Sequence, residues 1–103
     1  MHVIDGREFD WDENKHWENI NKHGVTFREA ATAINHPNAI SELDDEHSHY
    51  EIRYKVTGYS KQSRLLLVCH CLRNGKTITR IFSARKATKQ EYEDYWREQN
   101  ERS

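Results

Sequence analysis

Between Ile52 and Gln90 the chain has no aspartate or glutamate, yet it places ten cations there: Arg53, Lys55, Lys61, Arg64, Arg73, Lys76, Arg80, Arg85, Lys86 and Lys89. The acids lie outside this block. Twelve acids and four Lys/Arg precede it, and five acids and two Lys/Arg follow it. The segment charges of −8, +10 and −3 cancel to a net −1. A near-neutral chain is therefore strongly dipolar along its length. A cationic block of this kind is the electrostatic footprint of a polyanion binder, and RNA is the commonest such partner.

Long hydrophobic runs are missing too. No stretch of 18 apolar residues occurs, so no membrane-spanning helix and no membrane partner are expected. Met1-His2-Val3-Ile4-Asp5-Gly6 has neither a basic n-region nor a long apolar core, which argues against export. The two cysteines, Cys69 and Cys71, are one residue apart and cannot staple distant segments, so the expected setting is the reducing cytoplasm. There is no repeat, linker or low-complexity tract, and residues 1–103 are read as a single domain. Only 35% of residues are hydrophobic and the mean hydropathy is −1.09, so the core must be small. Three Trp, five Tyr and three Phe raise the area each apolar residue can bury.

The elements that are present can be placed from their caps. Trp11 to Gly24 reads as a first helix, with acids at its start, Lys22 and His23 at its end and Gly24 at the left-handed C′ position. Thr26-Phe27-Arg28-Glu29 is a capping box opening a second helix, Phe27 to about Asn35, which His36-Pro37-Asn38 stops. Ala39 to Glu42 is a short strand candidate, and the acidic run from Leu43 through His49 is a loop. Glu51–Tyr59, Arg64–Leu72 and Lys76–Ser83 read as three strands joined by short turns, hence an antiparallel meander. Thr88-Lys89-Gln90-Glu91 is a second capping box, followed by helical spacing of Tyr92, Tyr95, Trp96 and Gln99. A further strand can precede the first helix near Arg7–Asp10. The fold class is therefore α+β, two N-terminal helices, an antiparallel meander and a C-terminal helix packed as layers.

Strand alternation sorts the side chains into faces. Ile52, Tyr54, Val56 and Gly58 oppose Arg53, Lys55, Thr57 and Tyr59. Leu65, Leu67, Cys69 and Cys71 oppose Leu66, Val68, His70 and Leu72. Ile78, Arg80 and Phe82 oppose Thr79, Ile81 and Ser83. Arg80 between two large apolar residues must reach a partner, a sheet edge or a polar concavity, because unpaired burial is costly. A stem that merely snorkels to solvent is the simpler account. His70, alone on an apolar face, reads more readily as a hydrogen-bonded core residue than as a catalyst. Ser83-Ala84-Arg85-Lys86-Ala87-Thr88 sets two cations beside a helix N-terminus, a ready anion site.

Two stretches resemble the BrnT family of bacterial type II toxins, ribonucleases of the RelE/ParE-like superfamily. Trp11-Asp12 with Lys15, Asn19 and Lys22-His23-Gly24-Val25-Thr26-Phe27-Arg28-Glu29-Ala30 is similar to its N-terminal signature. Arg80-Ile81-Phe82-Ser83-Ala84-Arg85-Lys86-Ala87-Thr88 is similar to its C-terminal one. His47-Ser48, Glu51-Ile52-Arg53, Gly58 and Arg64-Leu65 resemble the segments between, whereas Cys69-His70-Cys71-Leu72-Arg73-Asn74 departs from the pattern. The resemblance implies a RelE-like toxin architecture, metal-independent RNA cleavage that inhibits translation, and no cofactor. It also implies a BrnA-like ribbon-helix-helix antitoxin, through which alone promoter DNA is reached.

Such cleavage uses the 2′-hydroxyl as nucleophile and needs a base, an acid and cations around the phosphate. Glu51 or His70 are the proton-transfer candidates. Arg80, Arg64, Arg53 and Arg85 are the candidates for the phosphate clamp, since a guanidinium fork matches two phosphate oxygens. Lys86 and Lys55 suit flanking phosphates. Lys22 and His23 fit dipole compensation, and Trp11 and Asn19 fit packing. A metal site from His47, His49, Cys69 and Cys71 is disfavoured, since zinc usually takes Cys-x₂₋₄-Cys on a turn. The alternatives are a non-catalytic RNA- or partner-binding module and a gyrase-directed toxin of the same superfamily.

Overall fold

The computed structural model describes residues 1–102. Its strands are β1 (His2–Ile4), β2 (Arg7–Asp10), β3 (Ile40–Leu43), β4 (Arg53–Tyr59), β5 (Leu65–Arg73) and β6 (Ile78–Lys86). Its helices are α1 (Glu13–His23), α2 (Phe27–Ile34) and α3 (Lys89–Arg102), with a 3₁₀ turn at Asp45–His47.

The helix ends lie where capping chemistry puts them. Asp12 accepts from the Lys15 amide at 3.0 Å, and Gly24, at φ 68°, closes α1 by donating to the Ile20 carbonyl at 2.8 Å. Thr26 accepts from the Glu29 amide at 3.0 Å, but the Glu29 carboxylate turns away to Arg64 and Ser60, so that box is half formed. The Thr88 box is complete: Glu91 N–H donates to Thr88 Oγ1 at 3.2 Å, and Thr88 N–H to Glu91 Oε1 at 2.8 Å.

The sheet order is β1-β2-β6-β5-β4-β3. The β4-β5-β6 meander is antiparallel as expected. The sheet as a whole is mixed, because β2 runs parallel to β6. Strand β1 is an addition to the expected elements; three residues are too short to show a two-residue period, and a tight turn at Asp5-Gly6 hairpins it onto β2.

Helices α1 and α2 cover one face. There Phe27, Ala30 and Ala33 pack with Val56, Leu66, Val68 and Ile81, all buried. The approach is close: a Cβ on Gly58 would stand 2.5 Å from the Ala33 carbonyl oxygen. Strand β2 pairs only Ile78 to Arg80, which leaves the outer edge of β6 open beyond it. Asn19 of α1 occupies that edge like a strand residue, donating to Ala84 O at 2.8 Å and accepting from Ala84 N–H at 3.0 Å. Helix α3 lies on the opposite face, with Tyr95 buried beside Tyr59 and Trp96 Nε1 donating to Tyr59 Oη at 3.1 Å.

One irregularity changes the expected faces. Cys69 pairs with Ser83 while His70 pairs with Ile81, so Phe82 is an extra residue in β6. Strict alternation puts Ser83 with Ile81. The bulge instead brings Ser83 opposite Cys69 and Arg85 opposite Leu67, on the side away from α1 and α2.

Candidate active site

On that side Asp10, Arg80, Cys71 and Arg53 stand in one cross-strand row over β2, β6, β5 and β4. Arg80 is ion-paired with Asp10. The Arg53 guanidinium lies over the Phe82 ring, 4.0 Å from its centroid, and reaches Glu51 at 3.4 Å. Glu51 also takes Arg73 at 3.1 Å, while Arg73 Nε donates to Cys71 Sγ at 3.4 Å. Burial pushes the Cys71 thiol up, so it stays protonated.

The loop between β3 and β4 is pinned over this row by Ser48. Its hydroxyl donates to Asp44 O at 2.6 Å and accepts from Arg53 N–H at 3.0 Å, and Asp44 N–H donates to Arg53 O at 2.8 Å. The pinning buries Asp44 to 4% exposure. Its two carboxylate oxygens lie 3.1 and 3.0 Å from His47 Nδ1, whereas the His47 side chain is 61% exposed. Holding Nδ1 in this way fixes the ring and leaves Nε2 free to exchange a proton. A concavity of about 250 Å³ is lined by Lys15, Asp44, His47, Arg53, Cys69, Phe82 and Ser83. Two further concavities share its walls, one lined also by His49, Tyr50 and Glu51 and the other also by Lys22 and His23.

This arrangement brings Arg53 and Glu51 together with His47 and Lys15, neither of which the sequence singled out for proton transfer or phosphate binding. The available signal was an aspartate three residues before a histidine, inside a run that reads as solvated acid. Arg80 shares the face, one strand beyond Cys71. The remaining candidates lie elsewhere. Arg64 grips Glu29 with two N–H groups and donates to Gly24 O at 3.1 Å, tying α2, the end of α1 and the β4–β5 turn together. That clamp, with Ser60, holds the buried Glu29 carboxyl below the usual range. His70 is buried on the α1/α2 side against Tyr54, and burial, with Arg7 nearby, lowers its pKa to about 4. It is neutral at pH 7.

Arg85 makes a two-point pair with Glu91 at 2.7 and 3.0 Å, chiefly through which the Glu91 pKa falls to about 2. The N-terminus of α3 thus already holds an anion, the chain's own carboxylate. Lys86 is exposed at the end of β6, on the α2 side, and Lys55 lies under α3 near Glu42, Glu91, Asp94 and Glu98. Among the described residues no three His, Cys, Asp or Glu converge as metal donors. No described helix is long and apolar enough to cross a membrane.

A small mixed sheet, with α1 and α2 on one face and α3 beside a cationic, histidine-bearing groove on the other, defines a compact α+β domain. Its fold is similar to that of the Brucella abortus ribonuclease toxin BrnT, at TM-score 0.58 and 20% identity over 81% of this chain and 99% of that one. No curated protein sequence matches. The family model described as ribonuclease toxin, BrnT, of type II toxin-antitoxin system matches residues 11–91, and the chain belongs to that family. Membership implies an RNA substrate and an antitoxin partner.

Proposed function

We propose that this toxin cuts RNA without a metal, by attack of a 2′-hydroxyl on the adjacent phosphorus, and so inhibits translation. The observation that carries the reading is the Asp44–His47 pair beside Arg53 in one groove. His47 Nε2 takes the 2′-hydroxyl proton while Asp44 stabilises the imidazolium that forms. Arg53 binds the phosphoryl oxygens, solvent water gives the departing 5′-oxygen its proton, and Arg80 extends the cationic row. The products carry a 2′,3′-cyclic phosphate and a 5′-hydroxyl. Arg64, Arg85 and His70 serve the fold. The partner is a BrnA-like ribbon-helix-helix antitoxin, which alone contacts promoter DNA, and the toxin acts in the cytoplasm as a single domain.

The test is incubation with ribosome-free RNA in EDTA, with analysis of product ends. The parent is expected to yield cyclic-phosphate fragments, His47→Ala roughly 100-fold fewer, and Arg80→Ala fewer than the parent, with its melting temperature nearly unchanged. A fully active His47→Ala variant removes His47 from the mechanism. Cleavage that appears only with added magnesium overturns metal independence. Salt-sensitive binding without fragments, on free RNA and on translating ribosomes, favours the non-catalytic module.

A further inference from the structure

Phe82 lies outside the hydrophobic core. Its strand neighbours Ile81 and Ala84 fill the core on the other face, and as the bulged residue it has no partner across β5. It stands half-buried among cations, with Arg53 over its ring. The ring lines two adjoining concavities: the one with His47 and Arg53, and the one with Lys15, Lys22 and His23 of α1. Glu18 is the only acid in the second, and neither Lys15 nor Lys22 forms a salt bridge among the described residues. An aromatic ring flanked by cations along a channel is the arrangement that holds single-stranded nucleic acid, because bases stack on the ring while phosphates follow the charges.

We infer that Phe82 is a stacking platform for an unpaired base next to the scissile phosphate, with Lys15 and Lys22 holding the neighbouring phosphate, so that the substrate is single-stranded RNA. This rests on the ribonuclease reading for its biological meaning, but its geometry is independent of which group moves the proton. A base inside a duplex has both faces covered and cannot reach a ring at the floor of a concavity.

The experiment uses a fluorescent, fully 2′-O-methylated oligonucleotide, which cannot be cut, and reads anisotropy for the parent, Phe82→Leu and Phe82→Trp. Three probes are compared: the single strand, the same strand in a duplex, and a strand of abasic residues. The parent should prefer the base-bearing single strand. Phe82→Leu should bind it roughly 10-fold more weakly and bind the abasic strand as the parent does, and Phe82→Trp should restore the preference. A Phe82→Leu variant that binds all three probes like the parent, or that loses equally on the abasic strand, overturns the inference. Thermal unfolding of each variant separates misfolding from lost stacking, and restoration by Trp supplies the second check. Because no cleavage is read, failure of the catalytic proposal leaves these outcomes interpretable. Failure here leaves the cleavage assay unaffected.

Discussion

His47 and His70 are 23 positions apart in the chain and have opposite surroundings. His47 is exposed beside a buried carboxylate, while His70 is buried with no acid in contact. Alternation correctly put His70 on the face of Leu66 and Val68, but the sequence could not show that its Nδ1 would lack a hydrogen-bond partner. Its folded pKa of about 4, below the unfolded value of 6.5, means the unfolded chain binds a proton first as pH falls. Stability from this group is therefore complete above about pH 6.5 and declines toward pH 4, by ~3 kcal/mol in total. Denaturant melts across that window should show the decline in the parent and a flatter profile in His70→Gln; parallel profiles would refute it. In the groove, Asp44→Asn should keep the loop folded yet lower cleavage, because the imidazolium that forms loses its anion. Unchanged cleavage would separate Asp44 from the chemistry.

Among the elements, α1 and α2 were legible almost to the residue because caps are local chemistry. Their docking was not, since it depends on contacts far apart in sequence. Glu29 shows the difference. The Thr26–Glu29 spacing signals a helix start, but the carboxylate is drawn 35 positions away to Arg64 and is only 5% exposed. Arg64→Ala should leave that charge buried and unpaired and destabilise the fold by about 2 kcal/mol, less than for a fully buried pair because Arg64 is one-third exposed. Cleavage by the folded fraction should be unaffected, and a stable but inactive variant would return Arg64 to the mechanism. The contact of β4 with α2 gives a second expectation. Gly58→Ala drives a Cβ against the Ala33 carbonyl and should cost about 1–3 kcal/mol, read from urea unfolding. The bulge at Phe82 was invisible for a related reason: a one-residue insertion appears only when β6 is laid against β5.

For the molecule as a whole, the acid-free block does not stay unpaired. Each of its five arginines meets a carboxylate from the flanking acidic segments: Arg53 and Arg73 with Glu51, Arg64 with Glu29, Arg80 with Asp10 and Arg85 with Glu91. A chain that is dipolar along its length folds into one whose charges are interleaved. RNA binding should then engage few cations. Three phosphate contacts, for example at Lys15, Lys22 and Arg53, predict a slope of log affinity against log salt near −2, whereas ten would give about −7. Titrations of a non-cleavable single strand between low and physiological salt measure this, and a slope near −7 would show that the internal pairs open to the ligand.

The sequence by itself determined what depends on neighbours a few residues apart: the helix caps, the strand periods, the short meander turns and the family signatures. Together these specify an α+β domain whose strands carry a run of cations. Only the tertiary structure decided which cations remain available, because a carboxylate 35 or 70 positions away selects its arginine through sheet register and helix docking. It likewise decided that the groove gathers His47 from a pinned loop, Lys15 from α1 and Phe82 from a bulge. Each of those placements is set by long-range pairing energy, which no local pattern records.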